Sequence, residues 1–242
     1  MKRILCFGDS NTWGVIPEPK KNPFPSLRYD EQTRWPCVLA RDLGKNWRIL
    51  EEGLGGRTTI YTVPGEAYRL ASTYLEPCLL SHRPLDYVIL MLGTNDIQPK
   101  FHKEALQPNR LNAGIRALLQ IILSVPECGT GSVSPRILLL APPPIRLSSS
   151  RPDVSAKYGM EAGVLLSHHF SSEYQKLCES FPAEFLNASL YAEASEADGI
   201  HFTRNSHVRL GHAVAEKIRN WERSAPEAPE ISSEILRSSI EM

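Results

Sequence analysis

Short apolar runs recur along the chain at 4–7, 48–50, 87–92 and 137–141, with a weaker one at 184–187. Apolar residues fill both parities of these runs instead of alternating, which is the pattern of strands covered on both faces of a parallel sheet. Between them, apolar positions fall at helical spacing over 35–43, 68–80, 111–123, 163–181 and 205–223. Strands alternating with helices predict βαβ units and right-handed crossovers, and hence a doubly wound α/β fold.

Each of the first four runs ends in a polar, glycine-rich or proline-rich loop: Gly8-Asp9-Ser10-Asn11, Gly53-Leu54-Gly55-Gly56, Gly93-Thr94-Asn95-Asp96 and Pro142-Pro143-Pro144. In an open parallel sheet the carboxyl ends of the strands share one edge, where ligands bind. Loops far apart in sequence therefore meet there. One domain is expected over 1–223, followed by an extension over 224–242. In that extension a linker-like stretch, 224–229, precedes Ile231, Ile235, Leu236 and Ile240, one apolar helical stripe. A helix this short is marginal alone in water, so the stripe is expected either to dock, on its own domain or on a second copy in a homo-oligomer, or to fray.

Composition narrows the partners. Of 242 residues, 42% are hydrophobic and 22% charged, within the range of globular domains. Lys plus Arg (27) equals Asp plus Glu (27), so no net field draws the chain to a nucleic-acid backbone or an anionic membrane. The first apolar run is cut off by Asp9 and Ser10, too soon for a signal-peptide core, and no later run reaches the length of a membrane span. Cys6, Cys37, Cys78, Cys128 and Cys178 are odd in number and include no Cys-x-x-Cys pair, which argues against a disulfide framework or a zinc knuckle. A cytoplasmic location is expected.

The loops carry candidate chemistry. Ser10 follows the first strand at the start of a helical turn, where its hydroxyl can reach the sheet edge. A serine hydroxyl is inert at neutral pH without a base within reach and a third group orienting that base. Asp198-Gly199-Ile200-His201 supplies both within one turn, and Ser, Asp, His is one of several chain orders such a triad takes. Acyl transfer also needs donors aimed at the developing oxyanion. The backbone N–H groups of Ser10 and Gly56 and the side chain of Asn95 are the candidates.

Taken together, Gly8-Asp9-Ser10-Asn11, Gly56, Gly93-Thr94-Asn95-Asp96 and Asp198-Gly199-Ile200-His201 resemble the four blocks of the SGNH hydrolases, also called the GDSL family of esterases and lipases. The resemblance runs in order from residue 2 to about 222. Arg3-Ile4-Leu5-Cys6-Phe7-Gly8-Asp9-Ser10, Glu51-Glu52-Gly53-Leu54 with Arg57-Thr58-Thr59, and Asp198-Gly199-Ile200-His201-Phe202-Thr203 look like the small bacterial arylesterase and acyltransferase branch. The resemblance implies a flavodoxin-like three-layer α/β/α sandwich with a central parallel sheet of about five strands. It also implies the roles: nucleophile for Ser10, base for His201, orienter for Asp198, and oxyanion donors from Ser10, Gly56 and Asn95. Asn11 stands where the family name has Leu, a variation read as minor. The segment 17–34 replaces whatever a relative carries at the rim of the site.

Other residues admit two readings each. Asp9 is either a second catalytic carboxylate or a cap on neighbouring amides, and the cap is favoured. Arg57 either anchors an anionic acid or pairs with a nearby Glu. Trp13, Ile16 and Phe202 flank the nucleophile and base, and either line a substrate pocket or pack under the loops. His168 with His169 and His207 with His212 lack the spacing to share a helix face, so no metal site is read from them. No metal, flavin, nicotinamide or other cofactor is expected. The activity that fits is a serine esterase acting on a small-molecule ester through an acyl-enzyme, with water or an alcohol taking the acyl group. A sugar deacetylase, a thioesterase and a lysophospholipase are alternatives on the same site. A flavodoxin-like phosphate or nucleotide binding module is the non-enzyme alternative, but Gly8 to Gly14 lacks Gly-x-Gly-x-x-Gly spacing and no Gly-x-x-x-x-Gly-Lys occurs. With no long apolar insertion to serve as a lid, short acyl groups are expected to be preferred.

Overall fold

The computed structural model describes residues 1–18 and 27–224. Five strands, β1 (Lys2–Gly8), β2 (Trp47–Gly53), β3 (Tyr87–Met91), β4 (Arg136–Ala141) and β5 (Ala183–Asn187), form one sheet in the order β2-β1-β3-β4-β5. Every pairing is parallel. The interior strands are buried on both faces as their unbroken apolar runs predict, whereas the edge strands β2 and β5 are mostly half-buried.

Alternate residues of the interior strands feed two cores. On one face Leu5, Phe7, Val88, Leu90 and Leu139 pack against α3 (Ala71–His82), α4 (Ala113–Ser124) and α7 (Phe170–Ser180). On the other, Ile4, Cys6, Ile89 and Leu140 pack against α2 (Trp35–Leu43) and α8 (Arg204–Ser224). Burying each such Leu or Ile contributes about 1.5–3 kcal/mol, and the sum holds the three layers together.

The chain runs from β1 outward to β2 and then back across to β3, so the sheet has its topological switch point between β1 and β3. Gly8 at the end of β1 sits opposite Gly53 of β2 and Met91 of β3. The loops after all three strands therefore leave the sheet at one level, around one crevice.

Two helices differ from the sequence expectation. The stretch 68–80 begins as a tight turn, Ala67–Arg69, and becomes helical only from Ala71, because Thr58 N–H donates to the Arg69 carbonyl (3.0 Å) and Ala71 N–H to the Thr58 carbonyl (2.9 Å). The stretch 163–181 is two helices, α6 (Met160–Ser167) and α7, preceded by an unforeseen α5 (Pro152–Lys157). Buried Ser167 marks the break: its hydroxyl donates to the Val164 carbonyl (2.7 Å) and accepts the Ile145 N–H (3.1 Å). The tail stripe Ile231, Ile235, Leu236 and Ile240 lies outside the described residues, as does most of the 224–242 extension.

Candidate active site

Ser10 opens α1 (Ser10–Trp13), a single turn that begins directly after β1. Asp9 caps it by accepting the Asn11 N–H (2.9 Å), the cap reading made from sequence. Burial pushes the Asp9 carboxyl up to about 6, against the opposing pull of that N–H. Gly53 is required beside this turn, since a Cβ there would lie 2.1 Å from the Trp13 nitrogen. The Ser10 hydroxyl has no hydrogen-bond partner among the described residues, and Ser10 and His201 line the same cavity.

Asp198 is buried and saturated with donors. One oxygen accepts the backbone N–H groups of Ile200 (3.0 Å) and His201 (2.9 Å), and the other lies 2.7 Å from His201 Nδ1. Burial alone would raise this carboxyl, but the ring N–H, the imidazole charge and the two backbone donors outweigh it and hold it below its ordinary value. A carboxylate at Nδ1 fixes the tautomer that leaves Nε2 as acceptor.

The 198–202 segment is tied to the Ser10 turn by Asn11, which the sequence presents as a minor variation. Asn11, 3% exposed, donates from Nδ2 to the Ile200 carbonyl (3.2 Å) and accepts the Phe202 N–H (3.0 Å) on Oδ1. Leu at this position could make neither bond. Asn11 thereby couples the serine-bearing turn to the two residues flanking His201.

Gly56 turns the chain after β2 with φ of 73°, in the left-handed region that suits glycine. Asn95 is buried in the turn after β3. Its Nδ2 donates to the Arg57 carbonyl (3.1 Å), while Oδ1 accepts the Tyr158 hydroxyl (2.8 Å) and Gln98 Nε2 (3.3 Å). Two donors on Oδ1 set which end of the amide is which, so its N–H groups face Arg57 and the cavity. Next to it, Asp96 accepts both the backbone N–H (2.9 Å) and the hydroxyl (2.6 Å) of Thr59, while burial pushes its carboxyl up to about 7.

Ser10, Gly56, Asn95 and His201 line one cavity of about 430 Å³, with Asp198 directly behind His201. Of the sequence-proposed pocket residues, Trp13 lines this cavity. Ile16 and Phe202 do not. Ile16 gives its N–H to the Leu27 carbonyl (2.9 Å) instead. Phe202 is 1% exposed and belongs to the core on the α2 and α8 face, its ring edge-on to His207 at 5.4 Å. The remaining wall comes from Val15, Leu54, Gly55, Tyr68, Arg69, Lys157 and Tyr158. Leu54 and Gly55 belong to the loop after β2 that the sequence marks; the others carried no sequence signal, because a cavity wall needs no fixed spacing. A second hollow of about 590 Å³, between the 97–108 loops and α6, shares Tyr158 but none of the four motif residues.

Arg57 does neither thing expected of it. Its guanidinium donates to the carbonyls of Gly8 (2.8 Å) and Glu52 and stacks on Phe7 at 4.2 Å, locking the ends of β1 and β2 together. Of the other histidines weighed, His207 is buried with neither ring nitrogen hydrogen-bonded among the described residues, and burial pushes its imidazole down to about 3. His212 pairs with Asp42 at 2.5 Å. Among the described residues Glu52, Cys78 and His82 bring potential metal donors within 4.8 Å of one another, but none lines the cavity that holds Ser10.

Comparison with known proteins agrees with this fold. The family model described as GDSL-like Lipase/Acylhydrolase matches residues 6–207. The chain is similar to Est24, a carbohydrate acetylesterase from Sinorhizobium meliloti, at 37% identity and TM-score 0.84, covering 91% of this chain and 100% of that one. It is similar to the native aryl esterase of M. smegmatis at 35% identity and TM-score 0.83, covering 91% and 99%. A second carbohydrate acetylesterase family member from Sinorhizobium meliloti matches at 28% identity and TM-score 0.81, covering 91% and 98%. No curated protein matches the chain.

Proposed function

The chain belongs to the GDSL-like lipase/acylhydrolase family and is a carboxylic ester hydrolase, and from that premise we propose that Ser10 is its nucleophile, His201 its general base and Asp198 the orienter of that base. The observation that carries this reading is the 2.7 Å contact of Asp198 with His201 Nδ1, on a histidine that shares a cavity with Ser10, Gly56 and Asn95. His201 Nε2 takes the Ser10 proton as Oγ attacks the ester carbonyl. The negative oxygen that forms is met by the N–H groups of Ser10 and Gly56 and by Asn95 Nδ2. His201 then hands its proton to the departing alkoxide, leaving an acyl-serine. Water, activated by the same imidazole, releases the acid and restores Ser10.

Short acyl esters, of aryl alcohols or of sugars, fit the cavity best. Trp13, Val15 and Leu54 give it an apolar side, and its volume suits a small ester rather than a long lipid chain. The naming of similar structures as a carbohydrate acetylesterase and an aryl esterase supports both leaving-group classes. An alcohol in place of water would make the same acyl-enzyme a transferase. All five cysteines are free, three of them buried, which supports a reducing, cytoplasmic setting. Among the described residues no helix is long and apolar enough to cross a membrane.

A serine-reactive phosphonate is expected to label Ser10, as read by mass spectrometry of the digested protein. A panel of acetyl, butyryl and octanoyl esters is expected to show kcat/KM falling with chain length. Labelling at another serine, or a steady rise out to octanoyl, would reject the nucleophile or the short-acyl preference respectively.

A further inference from the structure

The cavity that holds Ser10 is one compartment of a larger cleft. A second compartment, of about 480 Å³, adjoins it across His201, Tyr158, Arg69 and Lys157, which line both. Ser10, Gly56 and Asn95 border only the first, whereas Val154 and Ile200 border only the second. With Ser10 as nucleophile, the acyl carbon and its oxyanion occupy the first compartment. The leaving oxygen must face the imidazole that protonates it, so the alcohol part of the ester extends into the second.

The lining of that second compartment carries three cations, Arg69, Arg151 and Lys157, against two carboxylates, Asp153 and Asp198. Asp153 accepts Arg151 (2.8 Å), and Asp198 is held by the His201 ring and two backbone N–H groups. Glu66, just outside, accepts Arg69 (2.8 Å). Lys157, at the end of α5, forms no ion pair among the described residues, its ammonium lying 5.5 Å from the Tyr158 ring centroid. Loss of solvent around that ammonium, and after it the like charges of Lys100 and Arg69, lower its pKa. Arg69 presses on Gly56, where a Cβ would lie 2.7 Å from Nη1, and its buried Nε has no hydrogen-bond partner among the described residues. An unpaired ammonium and an incompletely bonded guanidinium thus stand on the wall common to both compartments.

We propose that Lys157 and Arg69 form an anion subsite that selects esters whose alcohol part carries a carboxylate or phosphate. This rests on the reading of Ser10 and His201 as nucleophile and base, because that reading places the alcohol part. An anion there would meet the guanidinium end of Arg69 beside its Glu66 pair, neutralise Lys157, and be drawn from solution by their charge.

The test compares 3-acetoxybenzoate with its methyl ester. Intrinsic reactivity favours the neutral methyl ester, whose phenol is the better leaving group. The wild-type enzyme is expected to reverse that order, with kcat/KM about two- to fivefold higher for the carboxylate, as one exposed charge pair supplies. That ratio should shrink at high salt. It should fall to about one in Lys157→Met, drop in Arg69→Gln, and return in Lys157→Arg. Equal rates on the two esters in the wild type, or a ratio untouched by Lys157→Met, overturns the subsite. Calorimetric titration with 3-hydroxybenzoate separates the two layers of the argument. If neither ester is cleaved but 3-hydroxybenzoate binds in a Lys157-dependent way, the nucleophile reading falls and the anion subsite stands. If esters are cleaved and 3-hydroxybenzoate binds no more tightly than its methyl ester, the reverse holds.

Discussion

Tyr158 donates its hydroxyl hydrogen to Asn95 Oδ1 across 2.8 Å, inside the protein and 63 residues away along the chain. The bond decides which end of the Asn95 amide faces the cavity, because a carbonyl oxygen already holding Tyr158 and Gln98 cannot be turned outward without stranding both donors. Tyr158→Phe removes one of the two anchors while keeping the ring that lines the cavity. It is expected to lower kcat roughly tenfold with KM nearly unchanged, whereas Asn95→Ala, which removes the donor itself, should lower kcat by about a hundred- to a thousandfold. Steady-state kinetics on an acetyl ester checks both. A Tyr158→Phe variant with raised KM and normal kcat would make Tyr158 a substrate contact instead.

Ser10→Ala and His201→Ala should each remove nearly all turnover, by on the order of a millionfold, and the double variant should be no worse, since nucleophile and base act as one unit. Circular dichroism should show both variants folded, as among the described residues the Ser10 side chain makes no hydrogen bond and the His201 side chain bonds only to Asp198. Retention of a tenth of the wild-type kcat by purified Ser10→Ala would dismiss the acyl-enzyme route.

The chemistry was legible in the sequence where it rests on loops at strand ends. Gly8, Gly53 and Met91 lie level in the sheet, so motifs after β1, β2 and β3 had to converge once the parallel sheet was inferred. What was not legible is side chains answering each other across the chain. Asn11 reads as a neutral variation until its amide is seen spanning 191 residues to the Phe202 N–H. Phe202, next to His201, admits both a pocket reading and a packing reading from sequence, and the same Asn11 bond helps hold its backbone while the ring turns into the core against His207. Sequence proximity to a site residue does not say which way a side chain turns.

Asn11→Ala strips the Ile200 carbonyl and the Phe202 N–H of their partner in a buried setting, a loss of about 1–3 kcal/mol of stability for unsatisfied groups of this kind. Because these two groups flank His201, activity should fall further than instability alone explains. The expected result is a variant that is fully folded at 25 °C by denaturant titration yet has a clearly reduced kcat. Asn11→Leu, which restores volume but not the bonds, should behave like Asn11→Ala if the bonds matter. Recovery of kcat in Asn11→Leu would show that Asn11 acts by filling space alone.

The last expectation concerns pH and Asp96. Its carboxyl stands at about 7 in the folded protein, against an ordinary value of 3.8, because burial outweighs the two Thr59 donors. In acid below the ordinary value, both folded and unfolded chains hold this proton, and the group makes no pH-dependent difference. As pH rises from about 4 to about 7 the unfolded chain releases the proton while the folded chain retains it, so stability declines through that interval and the decline stops once the folded group also ionises. Asp9, pushed up to about 6 by burial, contributes in the same direction. Asp96→Asn keeps an acceptor for the Thr59 N–H and offers a donor to the Thr59 hydroxyl, but has no proton to lose. Relative to wild type it should therefore gain stability progressively between pH 4 and 7, by on the order of a few kcal/mol, and hold that gain above pH 7. Urea titrations of both proteins across that range measure it. A stability difference that stays constant from pH 4 to 8 would mean that Asp96 ionises in the folded protein as readily as in the unfolded chain.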